Sequence, residues 1–330
     1  MTTTFPTLLQ RFFTDRLVGQ LGASPHTVSG YRDTFRILLQ FAAQQLGRAP
    51  SRLRLEDLDP AFLGQFLDHL QRDRGNATRT RNTRLAAVRA FFRYVSFTEP
   101  SHALDCQRVL AIPAKRHDRG PVAFLVEAEV RALVEAPDRT RWIGRRDHTL
   151  LLVASQTGLR NSEVRSLRRR DVELGNGAHL RCTGKGRKTR CTPLRSDVVK
   201  TMAAWLSELG GPSDAAVFPS SRGGALSEDA LQRLVTRHAA AARKVCPSLA
   251  KKHVTPHTLR HSAAMDLLRR GVDLTVIALW MGHESTETTQ VYLHADMDLK
   301  ERALAHSSAT GTAPDRFQAA DSLLAFLECL

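Results

Sequence analysis

Four short stretches of the sequence hold side chains that could do chemistry on a phosphate. In Thr157-Gly158-Leu159-Arg160-Asn161-Ser162-Glu163-Val164 a turn glycine precedes Arg160 at the start of a helix, and a helix N-terminus favours anions. Glu163, three residues on, can brace that arginine or a neighbouring histidine. Gly184-Lys185-Gly186-Arg187-Lys188 puts cations on a turn whose glycines let the backbone approach a ligand. The spacing of a P-loop, GxxxxGK[ST], is absent. In His257-Thr258-Leu259-Arg260-His261 an imidazole and a guanidinium stand three apart and so share a helix face. They make a poor core pair but a good pair for a bound phosphate. Gly282-His283 is followed nine residues later by Tyr292.

Each stretch alone has a plainer reading. His257 and His261 have the ligand spacing of a zinc-protease helix, but that chemistry needs Glu after the first His, and Thr258 stands there. No third ligand follows at a suitable spacing, so no metal site is expected. His261 reads as a satisfied structural histidine, and the His257–Arg260 face could be merely exposed. The basic turn could be merely solvated, and Lys188 rivals Lys185 at its tip. Tyr292 could belong to a core, as Trp280 does on this reading.

The elements that must position these groups follow from periodicity and capping. Residues 1–110 read as a small helical bundle. Leu8, Leu9, Phe12, Phe13 and Leu17 have helical spacing, and Ser24-Pro25 opens a helix that runs to Leu46 before Gly47. Asp59-Pro60 opens a third, with Phe62, Phe66 and Leu70 on one face. A fourth spans 78–95, with Leu85, Val88, Phe91 and Phe92 on its apolar face and Arg79, Arg81, Arg84, Arg89 and Arg93 along it. Residues 111–122, with two prolines and clustered basic side chains, read as a linker.

Residues 123–330 are mixed. Helices are expected at 127–135, 145–156, 196–208, 227–244, 257–269 and 273–281, and further on at 286–294 and 299–305. Residues 178–194 read as a hairpin. After a Ser/Thr/Gly/Pro-rich stretch, a tail helix at 315–330 carries Phe317, Ala320, Leu324 and Leu327 at helical spacing.

Composition narrows the partners. The 330 residues include 48 Lys+Arg against 33 Asp+Glu, a net charge of +15. That excess points to a polyanion, nucleic acid before an acidic membrane surface. No apolar run reaches the roughly 18–20 residues of a membrane span. Five cysteines with no CxxC pair argue against a disulfide framework or a Cys-based zinc site. Residues 1–11 lack a signal-peptide pattern, and a cytoplasmic, nucleoid-associated protein is expected.

In chain order the four stretches give Arg, Lys on a hairpin, His-x-x-Arg, Gly-His, and Tyr nine later. This set resembles the tyrosine recombinases, the phage-integrase-like and Xer-like site-specific recombinases. The resemblance spans about 125–305 through its motifs and covers the helical first region more loosely. It implies a mainly α fold with a small β-hairpin or sheet: a helical SAM-like N-terminal core-binding domain and a larger α+β catalytic domain. Arg160, Lys185, His257, Arg260 and His283 match the family's phosphate-activating set, Glu163 its supporting acid, and Tyr292 its nucleophile.

The implied activity is DNA strand cleavage and rejoining through a covalent 3′-phosphotyrosine, without ATP, metal or cofactor, with a mobile element as the expected setting. The alternatives are a type IB topoisomerase-like relaxing enzyme and a DNA-binding accessory member of a recombinase set. The implied partner is double-stranded DNA, bound by a homotetramer on synapsed DNA or by an assembly with sister recombinases. Arg79, Arg81, Arg84, Lys115 and Arg116 are candidate phosphate contacts. The tail helix could pack on its own domain or dock on a neighbour, as the family's C-terminal segment commonly does.

Overall fold

The computed structural model of the protein describes residues 3–117, 122–184, 189–282 and 289. The chain divides into two compact units, Met1–Arg119 and Gly120–Leu330. The expected helices at 286–294 and 299–305, and the tail helix, lie outside the described residues apart from Thr289.

The first unit is helical. Helix α1 (Phe5–Arg11) runs on into a π-helical stretch (Phe12–Gln20). Helix α2 (Pro25–Leu46) starts where the Ser24 hydroxyl accepts from the Thr27 amide at 3.2 Å, and stops at Gly47 in the left-handed region. Helix α3 (Pro60–Arg72) is capped by Asp59, whose carboxylate accepts from Phe62 N at 2.7 Å. Helices α4 (Thr78–Thr98) and α5 (Ala103–Leu110) complete the bundle. Phe12, Phe35, Phe91 and Phe92 meet edge to face at its centre, the Phe35 and Phe91 rings 5.3 Å apart.

The start of the expected linker is tied down. Asn82 on α4 donates to the Lys115 carbonyl at 2.8 Å and accepts from its amide at 3.1 Å. Arg81 donates to the Pro113 carbonyl, and Arg89 to that of Ile112. Residues 112–115 therefore run as a strap along the bundle.

The second unit is built round helix α7 (Trp142–Thr157), with α6 (Glu127–Glu135) beside it. The short α8 (Asn161–Ser166) follows α7. Strands β1 (Val172–Glu173), β2 (His179–Thr183) and β3 (Thr189–Pro193) then form an antiparallel sheet in the order β1-β2-β3. Helices α9 (Ser196–Leu209), α10 (Glu228–Ala242), α11 (Pro256–Arg269) and α12 (Leu274–Met281) complete it. Leu133, Leu150, Val153, Leu180, Met202, Val235 and Leu259 belong to one apolar core. Ala264, Met265, Ile277 and Met281 form a second cluster where α11 meets α12.

Among the described residues no helix is long and apolar enough to cross a membrane.

Candidate active site

A tight turn brings the first pair of groups together. Helix α7 ends because Gly158 takes a left-handed conformation, φ 63°, with its amide bonded back to the Ala154 carbonyl. Two residues later Arg160 caps α8 in extended backbone, and Glu163 reaches back to accept from the Arg160 amide at 2.7 Å. The same carboxylate accepts from Arg160 Nη1 at 2.9 Å. Glu163 thus holds both the backbone and the side chain of Arg160.

Helix α11 supplies the next group. Its start is fixed by Pro256 and by the Thr255 hydroxyl, which accepts from the Thr258 amide at 3.1 Å. His257 lies exposed on the first turn, its ring 4.4 Å from that of His261. Thr258, at the position a zinc-protease helix fills with Glu, is buried and donates its hydroxyl to the His253 carbonyl. Arg260 points inward and is 3% exposed. Its Nη1 donates to the Gly158 carbonyl and its Nη2 to that of Met281, both at 2.6 Å.

Three guanidiniums thus converge on the end of α12. Arg260 holds the carbonyl of Met281, and Arg160 Nη2 that of Gly282 at 2.7 Å. Arg190 Nε holds that of Trp280 at 3.0 Å. A helix C-terminus carries partial negative charge and orphan carbonyls, so cations there are stabilising.

Glu163 is the counter-charge, with each oxygen also taking one donor from Arg190 at 2.8 Å. Burial alone would push its carboxyl up. The hydrogen bonds from Arg190 and from the Arg160 amide, with the nearby positive charge, hold it down to about 2. Burial works against the charged form of Arg190 too, and the bond to Glu163 more than offsets it, raising its pKa.

Of the residues singled out from sequence, Arg160, Glu163 and Arg260 lie in this cluster. Lys185, Lys188, His283 and Tyr292 lie outside the described residues, although Gly184 and Gly282, which precede Lys185 and His283 in the chain, lie against the cluster. Trp280, read as core, is partly buried and donates its indole N–H to the Thr157 carbonyl at 3.1 Å.

Arg190 escaped the sequence reading. In the β2–β3 register it stands opposite Cys182, and Leu180 opposite Thr192. It therefore shares the buried face of the hairpin, where a cation demands a partner. The strand phase held that signal.

Among the candidate phosphate contacts, Arg79 and Arg116 are exposed and Arg84 is half-buried. Lys115 is exposed but reaches Gln71 at 2.6 Å and Asp68 at 3.5 Å. Arg81 departs from the expectation of a solvent-facing contact. It is 5% exposed and spends a donor on the Pro113 carbonyl, because the strap closes over it.

The comparisons with known proteins agree with one another. The model of the phage integrase family matches residues 123–298, and that of the phage integrase N-terminal SAM-like domain matches residues 10–96. A relative from Sinorhizobium fredii (strain NBRC 101917 / NGR234), "Putative integrase/recombinase y4rC", is 51% identical over 323 residues, 98% of this chain and 97% of its own. The tyrosine recombinase XerC of Pelobacter propionicus (strain DSM 2379 / NBRC 103807 / OttBd1) is 34% identical over 289 residues, covering 87% and 91%. The fold is similar to that of the XerH site-specific recombinase bound to palindromic difH substrate in a post-cleavage complex. That likeness has a TM-score of 0.66 at 22% identity and covers 92% of this chain and 85% of the other. With both family models matched in order and a half-identical relative aligned over nearly its whole length, the chain belongs to the phage integrase family of tyrosine recombinases.

Proposed function

We propose that the protein is a site-specific recombinase acting on duplex DNA, with Tyr292 as its nucleophile and Arg160 and Arg260 as the clamp on the scissile phosphate. The convergence of Arg160, Glu163 and Arg260 from two remote parts of the chain supports this reading most directly.

The reaction is a pair of transesterifications. The Tyr292 phenol oxygen bonds to phosphorus as the bond to the 5′-oxygen breaks, giving a 3′-phosphotyrosine and a free 5′-hydroxyl. Attack by a 5′-hydroxyl of the partner strand reverses the step, and the phosphoester bond is conserved without ATP. A phenol with an ordinary pKa near 10 is protonated at neutral pH, and His257 is the group assigned to accept or orient its proton. Lys185 gives a proton to the departing 5′-oxygen. The two guanidiniums and His283 meet the charge that grows on the non-bridging oxygens. Losing one such preorganised donor typically costs about 10²–10³ in rate.

Support for Arg160 as a clamp comes from its side chain, 30% exposed while Glu163 anchors one edge of its fork. Arg260 sits deeper, and the Gly158 and Met281 carbonyls fix its plane. A planar guanidinium so fixed suits bidentate phosphate contact.

The assembly we assign is a homotetramer on two synapsed duplexes. A cleft of about 860 Å³ in the second unit, lined by Leu125, Val130, Leu152 and Trp280 together with charged residues such as Arg131 and Asp266, offers a partly apolar seat for the Phe317–Leu327 stripe of a neighbouring copy. Removing residues 315–330 should then leave single-duplex binding intact and abolish the four-chain complex on gel filtration. A truncated chain that still synapses refutes the seat.

Covalent capture tests the chemistry. A site can be selected by wild-type capture from a library of nicked duplexes of random sequence. On that site the protein should form an SDS-resistant adduct through Tyr292, and Tyr292→Phe should bind the same duplex and trap nothing. An adduct with the Phe variant would remove Tyr292 from its role. Relaxation of supercoils without two-site products would move the protein to the topoisomerase alternative.

A further inference from the structure

We infer that Arg190 is a positioning residue of the recombination reaction, fixing the roots of the two segments that carry Lys185 and His283. The inference rests on the roles proposed above for those two residues.

Arg190 is the second residue of β3, on the buried face of the hairpin with Leu180, Cys182 and Thr192. Its side chain is 12% exposed, and its donors are turned to protein. Nη1 and Nη2 meet the two oxygens of Glu163 in a parallel fork, and Nε meets the Trp280 carbonyl. The three contacts join β3, α8 and α12 through one rigid plane.

Two glycines lie directly on that plane. A Cβ on Gly282 would fall 2.8 Å from Arg190 Nη1 and 3.2 Å from its Cδ and Cζ. A Cβ on Gly184 would fall 2.9 Å from Glu163 Oε1 and 3.3 Å from Arg160 Nη1. Backbone therefore approaches the Arg190–Glu163 plate from two directions with no side chain between. The next residues in the chain are His283 and Lys185. A plate that seats Gly184 and Gly282 sets where those two side chains begin. Lysine at 190 would keep the charge but lose the fork and the plane.

The test uses the full chain and the nicked duplex described above, in two forms. One has the ordinary 5′-oxygen at the scissile bond. The other has a bridging sulfur there, which leaves as thiolate and needs no proton. Single-turnover adduct formation is measured for wild type, Lys185→Ala, Arg190→Lys and Arg190→Gln, with duplex affinity alongside. Backbone hydrogen exchange is followed at 181–184, 280–282 and α7.

Arg190→Lys should bind duplex as wild type does and cleave the oxygen substrate about 10–100-fold more slowly. This stays at or below the lower end of the roughly 10²–10⁴-fold that general acid catalysis supplies, as a lysine misplaced but not removed requires. It should regain at least about tenfold of that loss on sulfur, because a misplaced Lys185 no longer matters there. Exchange should quicken at 181–184 and 280–282 and not in α7. Arg190→Gln should show the same pattern more strongly, and if it fails to fold, Arg190→Lys alone decides.

Wild-type rates, or exchange that is unchanged or quickened evenly through the unit, would overturn the inference. So would equal slowing on both substrates when Lys185→Ala itself is rescued by sulfur. Failure of sulfur to rescue Lys185→Ala defeats the lysine's proposed role instead. The exchange pattern then decides for or against Arg190 unaided.

Discussion

Both oxygens of Glu163 accept from two donors each, and the consequence is a pH dependence with a definite sign. Burial opposes its charge, but Arg190 and the Arg160 amide hold the folded-state pKa at about 2, below the ordinary 4.5. A carboxylate depressed on folding contributes stability that is fully present above its unfolded pKa and is lost as pH falls through the folded one. The contribution is of order 3 kcal/mol at neutral pH.

Wild-type melting temperature should therefore drop steeply from about pH 4.5 to 2. Glu163→Gln should melt lower at pH 7, because two guanidiniums lose their counter-charge, and should lose less across the acid window. Parallel pH-dependent slopes for the two proteins in thermal melts would remove Glu163 as the titrating group. This carboxylate was legible from the sequence because its partner is three residues away in a helix start. Arg190 was not, because its partner is 27 residues back and reached only through the register of a hairpin.

At the scale of elements, helices could be read where a cap announces them. Ser24-Pro25 and Gly47 bound α2, and Asp59-Pro60 opens α3, each at the residue the pattern marks. Helix α7 starts at Trp142, three residues before the expected start. The extra turn is anchored by a contact remote in sequence, Trp142 packing on Trp205. Helix α5 was missed as an element of its own, being only eight residues long.

The glycine after a helix carries a separable prediction. Gly47 and Gly158 have the same φ of 63°, but only Gly158 is crowded. A Cβ there would meet Met281 Cε and Sδ at 2.7 Å, whereas nothing lies within 4 Å of one on Gly47. Gly47→Ala should cost about 1–2 kcal/mol, the left-handed penalty alone, and leave cleavage at the wild-type rate. Gly158→Ala should cost more and also slow cleavage, since it pushes α12 from the arginines that hold its last carbonyls. Equal denaturation midpoints for the two variants would mean that the Met281 contact relaxes freely.

For the whole molecule, the +15 net charge is shared between residues available to a polyanion and residues that hold the fold. Binding through phosphates releases counterions, so log K falls linearly with log salt, by about 0.9 for each phosphate neutralised on a duplex. Charge alone does not say which arginines contribute. Composition does not separate Arg79 from Arg81 on α4, but spacing does: Arg81 continues the Leu85, Val88 and Phe92 stripe at i, i+4, i+7 and i+11, and Arg79 stands about 200° away. The chain that returns over the helix completes the distinction. Residues 112–115 cover Arg81 and engage it through Pro113, while Arg79 stays exposed.

Arg79→Ala should therefore lower the salt slope by about one and leave thermal stability near wild type. Arg81→Ala should leave the slope unchanged and lower the melting temperature, because the strap loses an anchor and a buried cavity opens. Fluorescence-anisotropy titrations from 50 to 200 mM salt, with melts on the same preparations, read both quantities. If Arg81→Ala flattens the slope as Arg79→Ala does, the strap must lift when DNA binds, and the buried arginine then belongs to the DNA-contacting set.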